Sequence, residues 1–188
     1  MPYDPSFPPT DAVLVSVQFR DQFNALKALI DAVPAVPATA YGKVAADWTS
    51  GSASFADVTG LAFAVGAGES WTAELVLHAI SGTTGQGLKL RASGPGAASV
   101  LIAIAGTGSG GASTAVDCEV QTAFSVASPA KTFCAGSSLT GVVRIHVVVT
   151  NASAGGTVQL QASNSSGSGT VTIKANSDLV ARRTPLAF

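Results

Sequence analysis

The chain has 188 residues and a formal net charge of −1, with 11% Asp, Glu, Lys and Arg against 47% apolar residues. Globular proteins carry about a quarter charged residues, so much of this surface must be built from Ser, Thr, Asn, Gln and Gly, and the lack of any Lys/Arg cluster argues against a nucleic-acid partner. Membrane insertion is excluded on length: a spanning helix needs roughly 20 consecutive apolar residues, and the runs at 100–105 and 142–149 are broken by Gly106 and by Arg144 and His146.

Residues 1–15 carry Pro2, Pro5, Pro8 and Pro9 with Tyr3 and Phe7 between them. Proline fixes φ and removes the amide donor, so an extended Pro-rich segment is expected there. Two readings of it stand side by side: a docking arm using Tyr3, Pro5, Phe7, Pro8 and Pro9, or a frayed terminus. Its opening residues, Met1 to Pro5, show neither a basic region nor an apolar core, so no secretory signal is expected.

One short amphipathic helix is predicted over 16–33, capped by Ser16 and stopped by Pro34. Its apolar residues Phe19, Phe23, Leu26, Ile30 and Val33 recur at alternating steps of four and three. That is the a/d seam of a coiled coil over two heptads. A helix this short is marginal alone in water, so the seam must be covered by the rest of the chain or by copies of itself. A seam this narrow favours self-association, because a helix lying on a domain shows a wider apolar face.

Residues 34–40, with Pro34 and Pro37, read as a semi-rigid linker, and 41–188 as one β-domain. In that domain the apolar period becomes two. Trp71, Ala73, Leu75 and Leu77 share one face, and Leu88 and Leu90 alternate with Lys89 and Arg91. Val143, Ile145, Val147 and Val149 point inward against Arg144 and His146. Val158, Leu160 and Ala162 alternate with Gln159 and Gln161, and Val171 and Ile173 with Thr172 and Lys174. Residues 100–105 are continuously apolar. Glycine-rich turns separate the runs. Roughly eight to ten strands with no second helix predict a mainly β fold, a jelly-roll-like β-sandwich preceded by the extended arm and the short helix.

The sequence carries no enzyme signature. His78 and His146 both lie in predicted strands, where alternation turns them to an outward or interface face. There is no Gly-x-Ser-x-Gly turn, no calcium loop and no phosphate-cradling loop ahead of a helix. Asp47, Asp57, Glu69, Glu74, Asp117, Glu119 and Asp178 are scattered, and Asp117 and Glu119 share a strand face expected to be solvated or lightly paired. Cys118 and Cys134 lack metal-site spacing. They read as reduced thiols, with a cross-strand disulfide as the alternative. No cofactor, metal or catalytic residue is therefore expected.

Two stretches carry a resemblance. Residues 3–9 followed by 20–31 (Arg20-Asp-Gln-Phe-Asn-Ala-Leu-Lys-Ala-Leu-Ile-Asp31) resemble the N-termini of tailed-bacteriophage virion proteins. Residues 56–95 and the closing 169–179 are similar to a recurrent β-domain of such proteins. The resemblance touches about half of the chain, and the 106–113 insertion and the two cysteines depart from it. It implies a bacteriophage virion structural protein assembled in the host cytoplasm. That protein would be a homotrimer whose arm contacts other capsid or tail proteins. With no long shaft, a capsid decoration or head fibre is favoured over a tail fibre. The alternative is a carbohydrate-binding module recognising a host surface glycan, which would display several exposed aromatics beside a groove.

Overall fold

The computed structural model of the chain describes residues 16–31, 38–82, 86–95, 98–107, 116–127, 129–134, 140–151 and 154–184. The chain divides into two compact units, Met1–Val36 and Pro37–Phe188. In the first, helix α1 spans Ser16–Asp31. No helix among the described residues is long and apolar enough to cross a membrane.

The second unit holds eleven strands among its described residues: β1 (Thr39–Lys43), β2 (Trp48–Ser50), β3 (Ala56–Val65), β4 (Ser70–Ser81), β5 (Leu88–Ser93), β6 (Ala98–Thr107), β7 (Val116–Gln121), β8 (Gly141–Asn151), β9 (Gly156–Asn164), β10 (Val171–Ile173) and β11 (Asp178–Thr184). β1 begins at Thr39, inside the predicted linker, because Thr39 and Ala40 pair with Arg182 and Ala181 of β11. The strands make two antiparallel sheets, a wide one in the order β1-β11-β4-β8-β6-β7 and a narrow one in the order β3-β9-β5. β2 and β10 extend the first two strands of the wide sheet, with β10 pairing both β2 and the end of β4.

The pairing is nested: β1 with β11, β3 with β9, and β4 with β8. A long hairpin rolled up on itself produces this order, which is that of a jelly roll. Its innermost pair is β5 with the irregular segment around Ser125 and Phe133. Leu88 and Phe133 exchange both backbone hydrogen bonds (2.7 and 2.8 Å), and the Ser125 amide donates to Ala92 O at 2.8 Å. The hairpin β6–β7 is inserted before that segment and widens the other sheet by pairing on β8. The predicted sandwich is therefore present, with a two-stranded addition on one sheet.

The core lies between the sheets. The residues predicted to face inward do so: Trp71, Ala73, Leu75 and Leu77 from β4, Val143, Ile145, Val147 and Val149 from β8, Leu88 and Leu90 from β5, and Val158, Leu160 and Ala162 from β9 are buried. Phe133, Leu61 and Ile104 are among its largest fully buried side chains. Burying a side chain of that size stabilises by roughly 1.5–3 kcal/mol. Phe63 and Trp71 cross between the sheets with ring centroids 5.8 Å apart.

The sandwich is closed along one side by a bulge in β3 between Asp57 and Ala62. Gly60 sits there at φ +92°, and a Cβ on it would collide with the Lys43 carbonyl of β1, just as one on Gly42 would collide with the Gly60 carbonyl. Only glycine allows so close an approach of two backbones in that conformation. The carbonyls freed by the bulge are recovered by Gln159, whose Nε2 donates to Val58 O at 3.0 Å and Leu61 O at 3.2 Å.

Candidate functional site

On α1, Phe19, Phe23, Leu26 and Ile30 fall within about 60° of one another at 100° per residue. Helix geometry thus gathers these four predicted residues into one stripe. They are 51%, 59%, 38% and 62% exposed, respectively. Phe19 and Phe23 brace each other one turn apart, with centroids at 5.0 Å. The Lys27–Asp31 ion pair occupies a neighbouring turn. Leu29, at 53%, lies beside the stripe and widens it on one flank. Val33 and the arm residues Tyr3, Pro5, Phe7, Pro8 and Pro9 lie outside the described residues.

The outer face of the wide sheet is the second candidate. Strand register sets its side chains in rows. One row runs Tyr41, Val180, Glu74, His146, Ala103, Val120, and the next runs Lys43, Asp178, Val76, Arg144, Ala105, Cys118. Ala103 and Ala105 are short, so β6 forms the floor of a trough of about 360 Å³. Its walls are Cys118 and Val120 on one side and Glu74, Arg144 and His146 on the other. A smaller depression of about 160 Å³, lined by Thr72, Glu74, Val180 and Arg182, lies on the other side of Glu74. Glu74, Arg144, His146 and Arg182 are all exposed. The side chain of none of the four makes a hydrogen bond or ion pair among the described residues.

At the edge of this sheet β7 turns its apolar side chains outward and its acids inward. The face of Asp117 and Glu119, expected to be solvated or lightly paired, is half-buried and paired on the underside of the sheet. There Asp117 lies 3.5 Å from Lys131 Nζ, and the Glu119 carboxylate accepts the amides of Ala130 (3.1 Å) and Lys131 (2.9 Å). The opposite face carries Val116 at 71% exposure and Val120 at 63%, with Cys118 between them. Leu101 of β6 and Val142 of β8 extend the apolar area. Sequence reasoning missed this face because a run such as 100–105 looks like a strand buried on both sides. The available signal was the alternation of Val116, Cys118 and Val120 with acids.

The remaining carboxylates are mostly engaged in holding the fold. Asp47 bonds Lys174 Nζ at 2.7 Å and the Ala175 amide at 2.8 Å, and these bonds, Lys174 first, hold its carboxyl below the usual range. Glu69 accepts from Trp71 Nε1 and the Gly66 amide, both at 2.8 Å, and from Arg183 at 3.0 Å. The Trp71 bond is the largest of the causes that lower its pKa. Both cysteines are free: Cys118 is exposed and Cys134 buried, with burial pushing the Cys134 thiol up to about 11. Among the described residues no three His, Cys, Asp or Glu side chains converge as metal ligands do.

No family model matches the chain, and no curated protein matches it. Among solved structures it is similar to the structure of infectious bursal disease virus Gx strain. That likeness has 17% identity over 81% of this chain and 38% of that chain, with a TM-score of 0.20. The chain thus spans well under half of that protein, and an overlap this loose carries no argument about fold or function.

Proposed function

We propose that this chain is a non-catalytic structural protein of a bacteriophage virion, a homotrimer displayed on the particle surface as a head decoration or head fibre. The observation that carries the reading is the exposed stripe of Phe19, Phe23, Leu26 and Ile30 on a 16-residue helix. So short a helix gains little from its own hydrogen bonds. Burying each half-exposed side chain of the stripe contributes roughly 1 kcal/mol or more, and a bundle of three copies covers all of them at once.

Three further features support the reading. Residues 3–9 and 20–31 resemble the N-termini of tailed-phage virion proteins. The β-unit carries few charges, and its β7 edge presents Val116 and Val120 to solvent, a surface suited to contact between copies. In this arrangement the helices align three β-units, most of the assembly energy lies between those units, and the segment before the helix attaches the trimer to capsid or tail proteins. The particle is assembled in the host cytoplasm.

Sedimentation at micromolar concentration tests this, with a trimer expected; a monomer overturns the reading. Deleting the residues before Thr39 should leave a trimer that no longer attaches to particles. Monomers after that deletion would move the assembly energy to α1.

A further inference from the structure

The outer face of the wide sheet carries an inference about ligand binding, in a trough whose β7 wall includes the Val120 that the proposed assembly also uses. In a chain with few charges, Glu74, Arg144, His146 and Arg182 stand exposed and unpartnered around two adjoining depressions that share Glu74. Polar side chains that only hold a fold are bonded within it, as Asp47, Glu69 and Glu119 are. The side chains of these four are not, nor are those of Lys43 and Asp178 in the same rows, and β-sheet register holds all their backbones in place.

We infer that this face is a binding site for a carboxylated oligosaccharide, a chain of sugar units bearing uronate-type carboxylates. The larger depression, at about 360 Å³, falls within the range of small-molecule sites. Its floor of Ala103 and Ala105 methyl groups suits the C–H face of a pyranose ring. Arg144 presents a planar fork that takes a carboxylate through two parallel bonds. One row away, about 7 Å along the strand, His146 and Glu74 supply a donor and an acceptor for ring hydroxyls.

The second depression repeats the pattern. Arg182 lies roughly 17 Å from Arg144 by strand and row spacing, placed for a second carboxylate further along the same ligand. Beyond Val180 in the Glu74 row stands Tyr41, 78% exposed, an aromatic face for a terminal sugar. A single carboxylic acid would use one arginine only. The paired arginines supply the charge for an extended anionic ligand, while Glu74 as a hydroxyl acceptor and Tyr41 as a ring face suit its sugar units.

The test is titration of the full chain, by calorimetry and by amide chemical shifts, with a galacturonic acid tetramer at physiological salt. The same titration is run with a neutral galactose tetramer and with pentaglutamate. The uronate tetramer should bind and shift amides of β4, β6 and β8, and the other two should bind at least about tenfold more weakly. Arg144→Gln and Arg182→Gln should each weaken uronate binding about tenfold. Ala105→Leu, which fills the trough without removing a charge, should do the same while the melting temperature of each variant stays near that of the parent. Pentaglutamate binding as tightly as the uronate would overturn the inference in favour of a generic anion surface. Equal binding of the neutral tetramer, no binding of the uronate, or an Ala105→Leu variant that melts like the parent and binds normally would each overturn it as well. The oligomeric state measured by sedimentation does not enter any of these outcomes.

Discussion

The outer faces of the two sheets spend their polar residues in opposite ways. On the narrow sheet, Asp57, Gln161 and Arg91 form one cross-strand row. Gln161 Nε2 donates to Asp57 Oδ1 at 2.7 Å, and Arg91 Nε donates to Gln161 Oε1 at 2.8 Å. The Arg91 guanidinium lies 4.2 Å above the Phe55 ring and reaches the Val126 carbonyl at 3.3 Å. Those bonds tie the segment around Val126 to the sheet where a regular strand is missing. On the wide sheet the equivalent rows leave Glu74, Arg144, His146 and Arg182 unbonded among the described residues. A regular sheet has all its backbone groups paired and asks nothing of its outward side chains, which are then free for ligands and partners. An irregular edge consumes its polar side chains as substitutes for the missing ladder.

The largest test of this contrast is Phe133→Ala. Phe133 is fully buried and exchanges two backbone bonds with Leu88. Its truncation should lower unfolding free energy by about 3–5 kcal/mol in urea denaturation. A loss below about 1 kcal/mol would mean that the segment around Phe133 is a loop and not the sheet's fourth member. Gly60→Ala comes next, at about 2–3 kcal/mol, because it combines a positive φ with a backbone collision against Lys43.

Glu69→Gln should cost about 1–2 kcal/mol at neutral pH, since it weakens charge-assisted bonds to Trp71, Gly66 and Arg183. Its pKa is lowered from 4.5 by folding, so its stabilisation is fully present above pH 4.5 and disappears as pH falls through the lowered folded value. The difference in Tm between parent and variant should therefore shrink on acidification from neutral pH. A difference that grows would reverse the assigned sign. The smallest effects compare the two faces directly. Arg91→Ala should cost about 1–2 kcal/mol, whereas Arg144→Ala should change stability by no more than about 0.5 kcal/mol. Equal costs would erase the distinction between a bonded and a free face.

Much of the fold was legible because burial on one face of a strand enforces a period of two. Leu75 and Leu77, Ile145 and Val147, and Val158 and Leu160 each announced the inward side of their strands, and all are buried. The helix was legible for the matching reason, a change of period and a proline stop. The bulge in β3 was not, since the spacing of Val58 and Leu61 follows a regular alternation only when the extra residues around Gly60 are known. The charged rows of the candidate face could not be read either. Glu74 and His146 are 72 positions apart in the chain and become neighbours only through the register of β4 with β8.

The clearest division lies in β7. The alternation of Val116, Cys118 and Val120 with Asp117 and Glu119 determines a strand with one apolar and one acidic face. An alternating strand buries its apolar face only if a second layer lies over that side. β7 sits at the end of an inserted hairpin and meets the narrow sheet at Gln121, whose Nε2 donates to Leu90 O; before that point the loop at Ala130 and Lys131 lies against its acids, offering two amides to Glu119 and the Lys131 ammonium to Asp117. Local periodicity therefore set which residues share a face throughout this chain, as it did for the stripe Phe19, Phe23, Leu26 and Ile30. Which face meets solvent was decided by strand order, because only the assembled sheets determine what lies above each row.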